Sequence, residues 1–520
     1  MTPTTTTSSD QKTHRTQRYL KNVLWTWMGV AAGIVSAILL QPYTIRKLGV
    51  GDVGIWILVL SVVEYYWLID LGFRSATIKM SAQFRAADQP ELLNELVSTS
   101  WLYTTIAASG VMVLTVFVAP YAEKVWHIHQ PVFPELIRIA GISFALGMIF
   151  NIFGACVEGF QRFDLLGRIW ITTTVVRSTG VFLALYTGHG LLALGFVMLG
   201  AQLMSYGLTY LTFRHVAPNV KVSLRYANLP MLRRISSYGF HSFTTIISGR
   251  LLNQGLPTII AFLMPKEAVT YYMTPLRIMD YAMDGVGRVG QVTTPNAAEL
   301  TAKGRESELA QLGVYANRYC LCLFLPLVSV LLVYGYEIYS LWVNPSFADA
   351  SAYLLPIMVI SHAAVSGQFN SVSILFGMGR HKIWSRTLLA EGLITACGMW
   401  FVLPRFGLYG GALLAGTAMI LNRSIMACIL VSKELKINAA RYAAKIYVVP
   451  LSISAGVTAL LYAIKKVWLP GRSWGQIALA CGLVMIPYCL LVIQYCLAEH
   501  HRDFLKSQVM RLVSAKPSTA

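Results

Sequence analysis

The 520-residue chain contains few charged residues. Asp, Glu, Lys and Arg make up 12% of it, about half of the roughly 25% that is typical of soluble domains. Acidic residues are the scarcest, with 23 Asp and Glu against 42 Lys and Arg, so the formal net charge is +19. Apolar residues reach 56%, and the mean hydropathy is +0.58. This composition excludes most soluble folds and predicts an integral membrane protein.

Sequence signatures of common enzymes and metal sites are also absent. The chain has no GxxxxGK[ST], HExxH or GxSxG motif and no glycine-rich dinucleotide motif after a strand. The eight cysteines lie in apolar segments, without a CxxC pair or the histidines that would complete a metal set, so we interpret them as small hydrophobic residues. The loops are no longer than about 25 residues, which is too short for a catalytic domain of about 50 residues or more. We therefore expect no enzyme, no catalytic residue, no metal and no cofactor.

Long apolar runs recur along the whole chain. A bilayer core about 30 Å thick needs about 20 apolar helical residues, and about fourteen runs of that size can be counted. The sequence therefore predicts an all-α polytopic membrane protein with about fourteen transmembrane helices. The predicted spans are 22–44, 53–73, 95–119, 136–157, 167–187, 190–212, 236–264, 268–292, 312–335, 352–377, 384–403, 408–432, 443–465 and 475–497.

The distribution of Lys and Arg predicts the orientation. With the N-terminus inside, the inside segments hold about three times as many Lys and Arg as the outside loops, which is the bias expected of cytoplasmic loops. We therefore predict that both termini are cytoplasmic, and the positive charge needs no nucleic acid to explain it. The polar tail at 1–18 precedes an apolar run without a cleavage site, so we expect the first span to be retained. One outside loop is basic, and we expect Lys465 and Lys466 there to be ordinary surface charges.

Short motifs indicate an internal repeat, as is common in transporters. The segments 70–74 and 284–288 both begin with Asp and end with Arg, at a shift of 214 residues. Gly159, Arg162 and Arg168 match Gly377, Arg380 and Arg386 at a shift of 218. The predicted organisation is a disordered cytoplasmic tail (1–21), an N-terminal six-helix lobe (22–220), a cytoplasmic linker (221–235), a C-terminal six-helix lobe (236–435), two additional transmembrane helices (436–498) and a cytoplasmic tail (499–520).

Charged residues inside spans are rare and costly, and they usually face a cavity or a partner. In the eighth span, five residues share one helical face. They are Arg277, Asp280, Tyr281, Asp284 and Arg288. This stripe cannot face lipid, so it either lines a cavity or forms an internal Arg–Asp network. We favour the cavity for Arg277 and leave both alternatives open for Asp284 and Arg288.

The seventh span has a second polar face, formed by Arg250, Asn253, Gln254 and Pro257. A proline removes one backbone hydrogen bond and permits a bend. A bent polar helix beside a cavity is suited to a gate, and a simple packing kink is the alternative.

Other polar residues in the spans are more isolated. Glu64 and Arg177 lie in the second and fifth spans, and Glu391 and Arg423 lie nearer the inner surface. For His362 and its polar neighbours in the tenth span we favour a role in joining helices, with His362 as a hydrogen-bonded core histidine.

Several of these segments resemble a known family. The stretch 42–49 (PYTIRKLG), followed by 53–56 (VGIW) and 70–72 (DLG), is similar to the opening of polysaccharide (O-antigen, Wzx-type) flippases of the MOP exporter superfamily. The segments 377–380 (GMGR) and 406–412 (FGLYGGA) resemble that family's second half. The resemblance extends over roughly the first 435 residues.

This resemblance implies a MATE-like, V-shaped pair of six-helix lobes around a cavity that opens alternately to each side. The implied substrate is a polyprenyl-pyrophosphate-linked oligosaccharide, moved from the cytoplasmic to the periplasmic leaflet of the bacterial inner membrane. A polysaccharide polymerase and other assembly proteins are possible further partners. The physical chemistry agrees on one point, because arginine is suited to bind phosphate oxygens through paired N–H donors.

The candidate site residues follow from these considerations. The candidates for substrate binding are Arg250, Arg277, Arg177, Asn253 and Gln254. The candidates for gating or for coupling to H⁺ or Na⁺ are Glu64, Asp70, Asp280, Asp284, Arg288 and Pro257.

Three alternatives remain open: a lipid II flippase, a cation-coupled drug exporter of the same superfamily, and a membrane-embedded polymerase or glycosyltransferase. We expect a drug exporter to line its cavity mainly with carboxylates, whereas arginines are at least as numerous in these spans. A polymerase or transferase is expected to have larger loops.

Overall fold

A computed structural model describes residues 8–70, 72–499, 501–503 and 507. Within this part, side chains are described except at 8–24, 26, 238–246, 248, 253, 288–289, 291–292 and 381. The described backbone contains α-helices, three short 3₁₀-helices, one π-helix and no β-strand. The prediction of an all-α protein is confirmed.

The helices of the first half are followed by a short connection that contains a 3₁₀-helix at Leu224–Tyr226. In chain order they are α1 (Ser8–Leu48), α2 (Val50–Glu64), a 3₁₀-helix (Tyr65–Asp70), α3 (Phe73–Ala86), α4 (Pro90–Trp126), α5 (Val132–Gly159), α6 (Phe163–Tyr186) and α7 (Leu191–Val216).

The second half contains more irregular helices. They are α8 (Leu229–Leu263), α9 (Lys266–Ala302), α10 (Glu306–Trp342), α11 (Pro345–Ser351), a 3₁₀-helix (Ala352–Leu354), α12 (Leu355–Ser366), α13 (Phe369–Gly377), α14 (His381–Met419), a π-helix (Ile420–Met426), α15 (Ala427–Glu434), α16 (Ala439–Val467) and α17 (Trp474–Tyr495). Inside α14 the backbone is non-helical at Gly407 (φ 58°, ψ −158°). This left-handed φ favours glycine and separates two consecutive helical stretches.

The helix boundaries repeat along the chain. The long helix α9 (266–302) corresponds to α2 and α3 of the first half taken together (50–86). Its first and last residues are each shifted by 216 residues from theirs. The same shift of 216 relates α4 (90–126) to α10 (306–342). These values lie between the shifts of 214 and 218 found in the sequence motifs, so the internal repeat is present at the level of whole helices.

The two copies differ at the paired motifs themselves. In the first copy the helix breaks after Glu64 and restarts at Phe73. Gly72 there has a left-handed φ of 81°, and the Asp70 carboxylate accepts a hydrogen bond from the Arg74 backbone N–H (3.3 Å). In the second copy α9 continues through Asp284 without interruption. The Asp and Arg that match in sequence therefore stand in different local structures.

Two compact units are present, Met1–Thr270 and Tyr271–Ala520. In the first unit, α8 packs against α2, α3 and α4. In the second unit, α16 packs against α10 and α17. The lobe boundaries at 220 and 236 that the repeat suggests stay a prediction.

Large apolar side chains lie exposed on many helices, as at Phe117 (69%), Phe401 (67%) and Ile486 (68%). Lipid tails can cover such side chains, whereas water would disfavour a large apolar patch. Among the described residues, eleven helical segments are long and apolar enough to cross a membrane. One of them, 382–434, is 53 residues long and contains the irregular Gly407. The helices α8 and α9 are not among the eleven, so the count of fourteen is not confirmed.

The expectation for Lys465 is wrong. Its Nζ lies 2.6 Å from Glu337 Oε1, with the two side chains 25% and 21% exposed. The same ammonium donates to the Val333 carbonyl (2.6 Å) and lies 5.3 Å from the centroid of the Tyr334 ring. Lys466 is exposed, as expected. Lys465 therefore ties the C-terminal end of α16 to α10.

We predict that Lys465→Ala destabilises the protein by about 1–2 kcal/mol, because Glu337 loses its cationic partner while it stays largely buried. The neighbouring Lys466→Ala is the matched control, with an expected change within about 0.5 kcal/mol. Unfolding of both purified variants in the same detergent measures the difference. Equal shifts in the two variants would contradict the structural role of Lys465.

Candidate functional site

The strongest candidate site lies where α2 ends, in the first unit. Glu64 is the last residue of α2. Arg250 Nη1 donates a hydrogen bond to Glu64 Oε2 at 2.8 Å, and Gln254 Nε2 donates to the same oxygen. Arg250 and Gln254 are four residues apart on α8, so they share one helical face. The structure thus brings together three candidates that the sequence had placed in two separate spans.

This cluster is partly open on one side. The side chains of Arg250 and Glu64 are 29% and 30% exposed, whereas Gln254 is only 4% exposed. Gln254 Oε1 is buried and has no hydrogen-bond partner among the described residues. An arginine carries five N–H donors, and the bond to Glu64 Oε2 uses Nη1. The cluster therefore combines a fixed carboxylate with an accessible guanidinium.

The helix that carries Arg250 contains a proline just beyond the cluster. Pro257 lies inside α8 and is buried. One residue later, the Thr258 carbonyl accepts a hydrogen bond from the Trp126 indole (3.4 Å), and the Thr258 hydroxyl donates to the Gln254 carbonyl (2.8 Å). This segment lies on the helix that packs against α2 and α4. The gating role of Pro257 stays a prediction.

Asp70 lies apart from this cluster and caps a helix. Its carboxylate accepts from the backbone N–H of Arg74 at the start of α3, which is the usual use of an acidic side chain at a helix N-terminus. Arg74 itself contacts Glu158 (2.5 Å) and Asn151 (3.0 Å) on α5. This arrangement explains the burial of Asp70 structurally, and its gating role stays a prediction.

The polar stripe of the eighth span lies on α9. Arg277 and Asp280 are half-buried and Asp284 is exposed. Asp280 interacts electrostatically with Arg277, with Asp284 and with Arg423 of the π-helix. The side chain of Arg288, like that of Asn253 on α8, lies outside the described residues. The cavity-lining and network interpretations of this stripe therefore both stay predictions.

Arg177 lies in another part of the first unit. Its side chain is exposed on α6, a helix that packs mainly on α1 and α7. The Glu64 cluster is instead formed where α2 meets α8. The structure therefore does not place Arg177 in that cluster.

Another ion pair joins Glu391 and Arg423, which the sequence did not include among the candidate site residues. Glu391 on α14 is 4% exposed. It accepts from Arg423 Nε (2.9 and 3.1 Å) and from Asn422 Nδ2 (2.7 Å). Both donors lie in the π-helix, an element that is frequent at functional sites. Sequence could reveal the two in-span charges, but only the fold shows that they pair.

His362 is a core residue, as interpreted from the sequence. It is 6% exposed, and its Nδ1 lies 2.7 Å from the Met358 carbonyl oxygen. In the part of the chain that the structure describes, no group of three or more His, Cys, Asp and Glu side chains could hold a metal ion.

The chain is similar to known proteins in sequence and in fold. Residues 19–299, more than half of the chain, match the family described as polysaccharide biosynthesis protein. The chain belongs to this family. It is also 18% identical over 415 residues to a Shigella flexneri protein named for O-antigen transport, which covers 78% of this chain and 96% of that relative.

Two solved structures share the fold. The lipid II flippase MurJ in an inward closed conformation has a TM-score of 0.71 at 12% identity, covering 93% of this chain and 99% of MurJ. An inward-facing multidrug resistance MATE transporter of the MOP superfamily has a TM-score of 0.64 at 12% identity, covering 79% of this chain and 94% of that one. The resemblance drawn from the motifs is thereby confirmed. The chain is a multi-pass membrane protein of a polysaccharide biosynthesis family, and its fold is the one that MurJ and the MATE transporter share.

We predict that Glu391→Ala destabilises the protein by about 2–4 kcal/mol, because Arg423 is left without its carboxylate inside a membrane helix. The control is Glu135→Ala, which removes an exposed i,i+3 pair with Arg138 and should cost less than about 1 kcal/mol. The double variant Glu391→Leu/Arg423→Met should recover most of the loss. Unfolding in detergent tests all three, and similar stabilities of the two single variants would refute the assignment.

Proposed function

We propose that this protein is a flippase that moves a polyprenyl-pyrophosphate-linked oligosaccharide from the cytoplasmic to the periplasmic leaflet by alternating access. The observation that carries the proposal is Arg250, a guanidinium inside a membrane helix that is held by Glu64 and remains partly exposed. Membership of a polysaccharide biosynthesis family and the MurJ-like fold support it. The Lys and Arg distribution supports an orientation with both termini in the cytoplasm, and the family resemblance supports a place in the bacterial inner membrane.

The chemistry of the cluster suits an anionic headgroup. A pyrophosphate that enters the bilayer core needs cationic partners, and arginine binds phosphate oxygens through two parallel N–H donors. In the structure Glu64 balances the charge of Arg250, so Arg250 is not an isolated cation inside the membrane. A bound pyrophosphate would replace Glu64 as the partner of Arg250.

This exchange provides a route to ion coupling. When Glu64 loses Arg250 to the headgroup, its carboxylate needs a proton or a sodium ion to remain in the membrane. Gln254 Oε1 is buried and has no partner in the part of the chain that the structure describes, so rotation of the amide would offer an acceptor to a protonated Glu64. Headgroup binding and ion binding would then be linked through one carboxylate.

The ion pair also joins the two copies of the repeat. Glu64 lies in the second span of the first copy. Arg250 lies on α8. This helix ends at residue 263 and α1 ends at residue 48, a shift of 215 residues, so α8 corresponds to α1 and Arg250 belongs to the first span of the second copy. A contact between the copies that forms and breaks is what alternating access requires.

The remaining candidates complete the proposed site. Arg277, Arg177, Asn253 and Gln254 are proposed as further headgroup contacts, and Asp70, Asp280, Asp284, Arg288 and Pro257 as elements of coupling or gating. A polysaccharide polymerase and other assembly proteins are proposed partners.

A lipid II flippase is the second candidate. The MurJ likeness covers 93% of this chain, against 79% for the MATE transporter. This wider coverage favours a flippase over a drug exporter of the same superfamily. Mass spectrometry of the lipid-linked sugars that accumulate in cells without the gene separates the two flippase functions.

We predict that Arg250→Ala lowers translocation roughly 10- to 100-fold, because a charge-assisted phosphate contact is lost. Arg250→Lys should retain part of the activity, since it keeps the charge but not the paired donors. Leaflet-resolved detection of lipid-linked oligosaccharide in complemented deletion cells measures both. Arg138→Ala, a surface arginine, is the control, and activity of Arg250→Ala equal to that control would refute the headgroup role.

We predict that Glu64→Gln keeps headgroup binding but abolishes ion-coupled transport, because the amide still contacts Arg250 yet cannot take up a proton or a cation. Purified protein in proteoliposomes allows substrate binding and H⁺ or Na⁺ flux to be measured separately. Glu158→Gln is the matched control, since Glu158 is also a partly exposed carboxylate paired with an arginine. Unchanged ion flux in Glu64→Gln would exclude Glu64 as the coupling residue.

A further inference from the structure

The tenth predicted span is interrupted in the second unit. α12 ends at Ser366 and α13 begins at Phe369. The Gln368 N–H, which in a continuous helix would bond the Ala364 carbonyl, bonds the Val365 carbonyl instead (2.9 Å). The break therefore releases backbone polar groups inside a membrane protein, where each of them needs a protein partner.

Side chains of two other helices supply these partners. The Tyr447 hydroxyl of α16 donates to the released Ala364 carbonyl at 2.5 Å. Asn317 Oδ1 of α10 accepts from the Asn370 backbone N–H at 2.8 Å, in the first turn of α13. Asn317 Nδ2 in turn donates to Ser371 Oγ (2.8 Å) and to the Tyr442 hydroxyl (3.0 Å). Both ends of the break are thus capped from outside the span.

Glycines make room for the two tyrosines of α16. A Cβ at Gly367 would lie 2.4 Å from the Tyr447 ring, and a Cβ at Gly313 would lie 2.8 Å from the Tyr442 hydroxyl. Any larger residue at Gly367 would displace the ring from the break. The position of α16 against the tenth span is therefore closely determined.

Tyr447 also contacts the second irregular helix of this unit. Its hydroxyl lies 3.1 Å from the hydroxyl of Ser424, in the π-helix Ile420–Met426. Because the single proton of Tyr447 goes to the Ala364 carbonyl, Ser424 is the donor of this bond. The result is a chain of hydrogen bonds from Ser424 through Tyr447 to Ala364, in which each bond strengthens the other.

We propose that Tyr447 is a positioning residue that couples the break at 366–368 to the π-helix at 420–426, so that the two segments bend as one hinge during transport. Helix breaks and π-helices are the places where membrane helices bend most easily. Tyr447 keeps both of its bonds only when the two segments move together. α16 is therefore part of the moving machinery of the second unit and not an appended helix.

Hydrogen exchange of the full-length protein in lipid nanodiscs tests the coupling. Tyr447→Phe keeps the ring against Gly367 but removes both hydrogen bonds, so exchange should accelerate roughly tenfold at both 364–371 and 420–427. Tyr488→Phe is the matched control, because Tyr488 of α17 donates a similar bond to the Cys322 carbonyl of α10 (2.6 Å). The control should leave both segments at the wild-type rate.

Ser424→Ala is the deciding variant. It removes only the bond at the π-helix, so coupling requires faster exchange at 364–371 as well. Faster exchange of Ser424→Ala at 420–427 alone overturns the proposal. So does a Tyr447→Phe variant whose exchange is faster at only one of the two segments or at neither. Ser424→Ala gives this decision even where Tyr447→Phe does not fold.

A transport readout separates positioning from simple stability. With undecaprenyl pyrophosphate as the probe, Tyr447→Phe should bind with wild-type affinity but translocate several-fold more slowly, whereas Tyr488→Phe should do both normally. Reduced binding together with an unchanged rate would contradict the hinge. This readout rests on the proposed function, but the exchange experiment does not: absence of probe binding by the wild type refutes the lipid substrate and leaves the exchange result decisive.

Discussion

A polar group inside a membrane-spanning helix is costly without a partner from the protein, and three polar contacts of this structure meet that requirement. Arg250 has Glu64, and Glu391 has Arg423 and Asn422. The same requirement applies to the backbone, where Tyr447 caps a carbonyl that the tenth span releases. In each case the partner lies on a helix other than the one that carries the polar group, so these contacts hold specific pairs of helices together.

The two ion pairs inside the membrane-spanning helices differ in their exposure. Glu391 is almost fully enclosed and accepts from two neighbouring residues of the π-helix, which suits a permanent structural contact. Glu64 is nearly one-third exposed, as is Arg250. An open ion pair can exchange its partner for a ligand, whereas a closed one cannot do so without unfolding its surroundings. This contrast is why the transport proposal rests on Glu64 and Arg250.

The sequence predicts the helices well because the bilayer thickness sets the length of an apolar run. It also identifies Glu64, Arg250 and Gln254 one by one, since a charged or amide side chain in such a run is conspicuous. It could not predict that Glu64 meets Arg250, because the two lie 186 positions apart and their contact depends on how α2 packs on α8. Tyr447 was missed for a related reason: a tyrosine in an apolar helix is ordinary, and only the break beside Gly367 gives it a role. Lys465 was misjudged because its partner Glu337 lies on another helix.

The two copies of the repeat keep the same helix boundaries but are interrupted at different places. In the first copy, the second span is broken between Glu64 and Phe73, whereas the fourth span, formed by α5, is continuous. In the second copy α9 is continuous, and the helix that corresponds to α5 is broken between Ser366 and Phe369. A duplicated scaffold thus carries its helix breaks at non-equivalent positions. Bending at these breaks would not be related by the repeat, so the proposed transport cycle would not run through equivalent steps in the two copies.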